Sequence, residues 1–319
     1  MAANRAIHGN KINRIIWAID AYEKPGPTRR HAVAILQSLS KQTKATIEPV
    51  YVLSPSELSL SIEFTPPWVI RYKPSAEAAL KQVVKNEKIE GMEKPRVLVE
   101  RSASIRRAVD LLAAHAKKRK ADVIVVSTHA RKGLSRLLLG SFAETLILHS
   151  TVPVLIAEPK QQPIASFSSI LFPTDLSPYS RKIFHSTLCL AAQLSSSITI
   201  FHSIPNPIEP IFQSGMFLLG GSWVPVGTYF SQDVERRKSL LSKWVDVAKK
   251  FGIKADFHIT EQAGSISASL VEYAKKKKFK LIAMAPQSGP VASTLIGSVT
   301  RQVVRNADCP VWILHYPKK

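Results

Sequence analysis

Cysteine is almost absent from this chain. Its 319 residues include two, Cys189 and Cys309, too few for the disulfide framework of a small secreted domain. Both lie in apolar stretches, where thiols usually pack as small hydrophobes, and a reducing cytoplasmic location is expected. The N-terminus runs from Met1-Ala2-Ala3-Asn4-Arg5 into polar residues rather than an apolar core segment, so no secretory signal is expected. Nor is there a clean apolar run of about 20 residues, the length a membrane span needs. The nearest stretch, Pro210 to Gln232, is uncharged but broken by Gly215, Gly220, Gly221, Pro225 and Gly227, so no transmembrane segment is expected. Metal and catalytic signatures are missing as well. The histidines, among them His129, His185, His202 and His258, are scattered, with no Cys/His spacing of a metal site. There is no Gly-x-Ser-x-Gly elbow and no full P-loop.

Acidic residues are also scarce: 23 Asp and Glu face 44 Lys and Arg, for a net charge of +21. That balance favours anionic partners such as nucleotides, nucleic acid or acidic lipid surfaces. Hydrophobic residues make up 45% and charged residues 21%, a globular composition that excludes extended disorder as the main state. The length suits about two domains, each large enough to bury a core.

The chain repeats itself. Asn13 to Asp20 is a short apolar run ending in aspartate, and Ser169 to Asp175 is another. The basic cluster Lys117-Lys118-Arg119-Lys120 precedes the run Val123 to Val126, as Lys275 to Lys278 precedes Leu281 to Met284. Gly140-Ser141 recurs as Gly297-Ser298, and Pro153-Val154 as Pro310-Val311. The aspartates are 155 residues apart and the other two pairs 157, so order and spacing both recur, as in a duplicated domain. The boundary is expected at Glu158 to Pro163, short, polar and proline-flanked. This divides the chain into domains 1–159 and 164–319.

In each half, apolar runs alternate with helix-period segments. Strands are expected near 13–19, 46–53, 96–100, 121–127 and 152–157, then near 168–174, 197–203, 253–260, 279–285 and 309–315. Helices are expected near 27–42, 75–87, 103–118 and 140–149, then near 178–195, 231–251, 264–277 and 297–306. Continuously apolar runs mean strands covered on both faces. Strand–helix alternation implies an α/β fold with a doubly wound parallel sheet, whose ligands sit beyond the carboxyl ends of the strands. Two long connections, Ser54 to Pro74 with Trp68 and Ile204 to Phe230 with Trp223, are expected to serve contacts between domains or chains. The basic clusters close helices, where cations complement the dipole.

After the fourth run comes the segment Ser127 to Ser141. It resembles the Gly-x2-Gly-x9-Gly-Ser/Thr nucleotide loop of the universal stress proteins, with Ser127, Ala130, Gly140 and Ser141 at the motif positions. The resemblance covers nearly the whole chain as a tandem of two such domains. It implies a five-stranded sheet of order 3-2-1-4-5 in each half and pairing of domains through the last strand, with room for a homodimer. It also implies an adenine nucleotide, ATP, ADP or AMP, with Mg2+ accompanying ATP.

In the first half, the residues the resemblance assigns to the nucleotide are Ala18, Asp20, Val52, Val126, Ser127, Ala130, Arg131, Gly133, Gly140, Ser141 and Phe142. In the second they are Pro173, Thr174, Asp175, Ser203, Gly297 and Ser298. The physics agrees with the pattern: glycine allows backbone N–H groups to approach phosphate, and a helix opening at Gly140-Ser141 offers free N–H groups and a positive dipole end. Ser127 and Ala130 replace two glycines of the motif. The second half departs further, with Met284 and Gln287 at the glycine positions and Pro286 and Pro290 stiffening the loop. Asp20 and Asp175 could instead act as helix caps.

No nucleophile is paired with a base, so binding is expected rather than catalysis, with slow ATP hydrolysis at most. Three readings follow. The first is a nucleotide-binding, stress-related regulator whose first half carries the site. The second is a nucleotide-free scaffold of two degenerate domains, and the third, ranked last, is a basic nucleic-acid binder.

Overall fold

The computed structural model describes residues 11–23, 26–56, 65–127, 141–157, 164–204, 216–217, 223–224, 226–261, 264–287 and 296–315. The first half runs β1 (Arg14–Ala18), α1 (Pro27–Thr43), β2 (Thr46–Leu53), α2 (Pro66–Lys85), β3 (Arg96–Val99), α3 (Ile105–Lys118), β4 (Val123–Ser127), α4 (Ser141–His149) and β5 (Val154–Ala157). The second runs β6 (Ser169–Pro173), α5 (Pro178–Leu194), β7 (Ser197–Ser203), the short antiparallel pair β8 (Met216–Phe217) and β9 (Trp223–Val224), then α6 (Val226–Lys250). It ends with β10 (Ala255–Thr260), α7 (Ile266–Lys276), β11 (Leu281–Met284), α8 (Ser298–Asn306) and β12 (Val311–Ile313).

Ten strands form one sheet, ordered β10-β7-β6-β11-β12-β5-β4-β1-β2-β3. Within each half the order is 3-2-1-4-5 and every pairing is parallel. The halves join where β12 pairs antiparallel with β5, setting Trp312 opposite Leu155. These two residues are each other's counterparts in the repeat, 157 positions apart, so a pseudo-twofold axis passes between them.

Alternation along the strands explains the burial. Ile15 and Trp17 face a core under α1, α2, α5 and α6. Ile16, on the opposite pleat, faces a second core under α3, α4, α7 and α8. Each core draws residues from both halves: Leu155 and Trp312 share the first, and Ile156 and Ile313 the second. Symmetric side-chain bonds tie the joint further. Ile12 N donates to Gln193 Oε1 at 2.8 Å, and the matching Phe167 N donates to Gln42 Oε1 at 3.4 Å. Glu144 on α4 takes Arg305 at 3.2 Å and Arg301 at 3.5 Å, both from α8.

Two expectations change. The helix expected from 75 starts at Pro66, with Thr65 as its N-cap. Prolines 66 and 67 lose nothing at the first helical positions, where the N–H has no partner anyway. Trp68 then stacks on Tyr72 one turn later, at 4.6 Å and 22°. Trp68 is half-buried against its own chain's core; the side chain of Trp223 and the linker residues 158–163 lie outside the described residues. The helix expected from 231 starts at Val226. Among the described residues no helix is long and apolar enough to cross a membrane. Cys309 is buried and its thiol is pushed up to about 12, chiefly by that burial, while Cys189 is half-buried.

Candidate functional site

In the first half the sheet's switch point lies between β1 and β4, where Ala18 pairs with Val126. Helices depart to opposite faces there, leaving a crevice beyond the carboxyl ends. Ala18 is half-buried, whereas Val52, Val126 and Ser127 are buried. Asp20 is half-buried, and its Oδ1 accepts the Tyr22 N–H at 2.9 Å, closing a turn that directs the chain toward α1. Asp20 therefore organises the strand end rather than capping α1, whose N-cap is Gly26. Ser141 opens α4 and is exposed, and Phe142 behind it packs half-buried on the second core. Ala130, Arg131, Gly133 and Gly140, together with His129, lie outside the described residues.

The corresponding place in the second half is closed by its own groups. Thr174 Oγ1 accepts Leu176 N at 2.9 Å. The Asp175 carboxylate accepts the Ser177 N–H at 3.0 Å and the Ser180 hydroxyl. Burial pushes the Asp175 carboxyl up, but the bonds from Ser180 and Ser177 outweigh it and hold its pKa below the ordinary value. Ser177 itself caps α5, accepting Ser180 N at 3.1 Å. Ser177→Ala is expected to cost about 1 kcal/mol of stability, read as a lowered midpoint in urea unfolding.

A polar chain that sequence reading missed runs behind Thr174. His202 is 3% exposed. Its Nδ1 lies 2.8 Å from Thr174 O, and its Nε2 2.9 Å from Arg237 Nη1. Arginine only donates, so Nε2 must be the acceptor and Nδ1 must carry the proton. Burial, and then the Arg237 charge, favour this neutral ring, and the His202 pKa lies below its ordinary value. Arg237 Nε in turn donates to Asp233 Oδ2 at 2.6 Å. The signal available in sequence was the i,i+4 spacing of Asp233 and Arg237 on an amphipathic helix; nothing local linked it to His202.

Pro173 and Ser203 are half-buried at their strand ends, and Ser298 is exposed at the start of α8. The amide of Gly297 is already spent, donating to Pro286 O at 3.1 Å. A Cβ on Gly297 would sit 3.3 Å from Gln287 Cα, so the loop packs directly on the helix start where a phosphate would have to enter.

A larger charge network sits at the opposite end of the first half's sheet. Glu48 on β2 has a side chain 1% exposed and accepts from Arg96 Nε at 3.0 Å, Arg119 Nε at 2.8 Å and His115 Nε2 at 3.3 Å. Arg119 also reaches Glu93 at 2.7 Å, and Arg14 meets Glu93 at 2.7 Å. Lying away from the crevice, this network is structural.

The model of the universal stress protein family matches residues 11–158 and again 166–315. The chain belongs to the universal stress protein family. It is a tandem member, since the two matched segments are the two halves of the sheet. A universal stress protein of Methanocaldococcus jannaschii is 27% identical over 154 residues, covering 48% of this chain and 85% of that protein. A crystal structure of a universal stress protein from Archaeoglobus fulgidus superposes with a TM-score of 0.65 at 16% identity, covering 97% of this chain and 98% of that one. A functionally unknown protein from Pseudomonas aeruginosa superposes with a TM-score of 0.60 at 13% identity, covering 95% and 92%. At those identities the structural likeness establishes the fold alone.

Proposed function

We propose that this tandem universal stress protein is a stress-related regulator that binds an adenine nucleotide in its first domain, 1–159. The second domain, 164–319, serves as its structural partner. One contrast carries this reading. In the second half the Gly297 amide, the equivalent of a phosphate-binding group, is consumed internally by Pro286, and the loop packs on the helix start. Ser141 stands exposed at the first turn of α4, as Ser298 does on α8, and α4 is the helix that follows β4 at the switch point. A helix start in that position attracts phosphate through its free N–H groups and dipole. Asp20 and Val52 line the end of the crevice expected to hold the nucleoside, and Mg2+ would accompany the phosphates of ATP.

ATP is expected to raise the thermal midpoint, since a ligand at a hundred times its Kd adds about 2.7 kcal/mol. Gly140→Val and Ser141→Ala should shrink that shift, and Ser298→Ala should leave it intact. A shift untouched by Gly140→Val would remove the first-domain site. The closed second crevice, with Ser127 and Ala130 in place of two glycines, favours a nucleotide-free scaffold as the other reading. Equilibrium dialysis without retained nucleotide at millimolar ATP would select it.

A further inference from the structure

The two halves differ most sharply at a place neither crevice touches. Strand register matches Arg14 with Thr46 and Ser169 with Ser197, so Thr199 stands where Glu48 stands in the first half. By the same register Val50 pairs with Arg96 and Phe201 with His258, so His258 replaces Arg96. The ends of α3 and α7 align on Lys120 and Lys278, both in the left-handed region at φ 53° and 57°. Tyr273 therefore replaces His115, and Lys277 replaces Arg119.

The consequence is an opening. In the first half a carboxylate gathers three cationic or protonatable side chains and fills the space beside α3. In the second half the carboxylate is gone, and a cavity of about 370 Å³ lies between edge strand β10 and α7. That size is within the range of small-molecule sites, about 300–1,000 Å³. One wall is aromatic. His258 stacks on Tyr273 at 4.0 Å and 9°, and Phe201 packs against both at 5.8 and 5.6 Å. Lys276 and Lys277 line it too, and neither enters an ion pair with another described residue. Thr260, 9% exposed, adds a hydroxyl. Against the two ammonium groups, Glu272 lines the cavity with a negative charge, and the Asp256 carboxylate, on the same face of β10 as His258, acts on His258 and Tyr273.

We propose that this cleft binds a small aromatic carboxylate. The ring lies against the Phe201–His258–Tyr273 wall, burying apolar area. The carboxylate takes the role Glu48 plays in the first half and accepts from Lys277 and Lys276 in charge-assisted hydrogen bonds. The site is independent of the nucleotide crevice, being at the outer edge of the sheet rather than at its switch point.

Isothermal titration of the full chain with benzoate and naphthoate tests this. Both acids are expected to bind with submillimolar Kd, naphthoate more tightly. The Lys276→Gln/Lys277→Gln variant, altered only at exposed positions, should weaken binding at least about tenfold. Tyr273→Ala should weaken naphthoate more than benzoate. Saturating ATP should leave the titration unchanged. Four results would each overturn the proposal: no heat with either acid at millimolar concentration, equal binding of uncharged benzyl alcohol, undiminished binding by the lysine variant, or displacement by ATP.

Discussion

Arg119→Met is expected to destabilise the chain by about 3 kcal/mol, as stripping a partner from a buried ion pair does. The asymmetry of exposure decides which substitution hurts. Glu48 is 1% exposed, whereas Arg119 and Arg96 are 34% and 55% exposed. Removing Arg119 therefore leaves a carboxylate stranded in the protein with Arg96 and His115 as its remaining partners. Removing the carboxylate leaves arginines that can reach water. Glu48→Gln should accordingly cost less than Arg119→Met. The double variant Glu48→Met/Arg119→Met should recover much of the loss, because no buried charge then remains. Urea unfolding of Glu48→Met, Arg119→Met and the double variant closes the cycle. A double variant no more stable than Arg119→Met would show that lost packing, not the stranded charge, dominates.

The same network predicts how acid acts. Burial raises the Glu48 pKa, but the hydrogen bonds from Arg119 and Arg96 outweigh it, and the folded pKa lies below the ordinary value. Glu93 behaves likewise, with Arg14 as the principal partner opposing burial. A carboxylate depressed in the fold contributes stability above its unfolded pKa, about 4.3, and loses it as pH falls through the folded value. Buried histidines act earlier. His202 and His315 are held neutral, first by burial, so below about 6.5 the unfolded chain takes up protons that the fold refuses. Stability should therefore be greatest near neutrality, begin to decline through the histidine range as pH falls, and fall steeply in the carboxylate range; above about 8.5 it should decline again, because the fold keeps the Cys309 thiol protonated. Arg119→Met should make the steep acid part shallower, because the folded Glu48 pKa then lies closer to its unfolded value.

Trp312→Ala is expected to cost about 3–5 kcal/mol, the range for emptying a large buried aromatic site. Trp312 is 2% exposed, sits opposite Leu155 at the joint and belongs to the core shared by both halves. Its loss should also weaken the coupling of the halves, splitting a single unfolding transition into two. Trp312→Phe should cost far less. The indole Nε1–H is buried with no hydrogen-bond partner among the described residues, so phenylalanine removes an unsatisfied donor as well as some volume. Calorimetry of the two variants distinguishes them; equal losses would mean that the volume emptied by alanine is not what destabilises the joint.

Much of this architecture is legible in one dimension because its causes are local. A continuous apolar run can only be a covered strand, and Asp20 with Asp175, or Gly140 with Gly297, mark the duplication by spacing alone. The start of α2 was less legible, since Pro66 and Pro67 read as loop residues until Trp68 and Tyr72 show which way the turn closes. The charges were not legible at all. Glu48 stands in an apolar run, and its partners Arg96, His115 and Arg119 come from β3 and from the end of α3; their pairing exists only once β2, β3 and α3 meet. His202 and Arg237 are likewise joined by packing of α6 over β7.

Sequence by itself determined the strands, the helices and the repeat, because hydrophobic periodicity acts over a few residues. Tertiary structure decided that Trp312 faces Leu155, that Gly297 spends its amide on Pro286, and that the space beside α3 is filled by charge while the space beside α7 is open. Those outcomes depend on which groups lose their water, and desolvation is a property of the packed chain rather than of any segment.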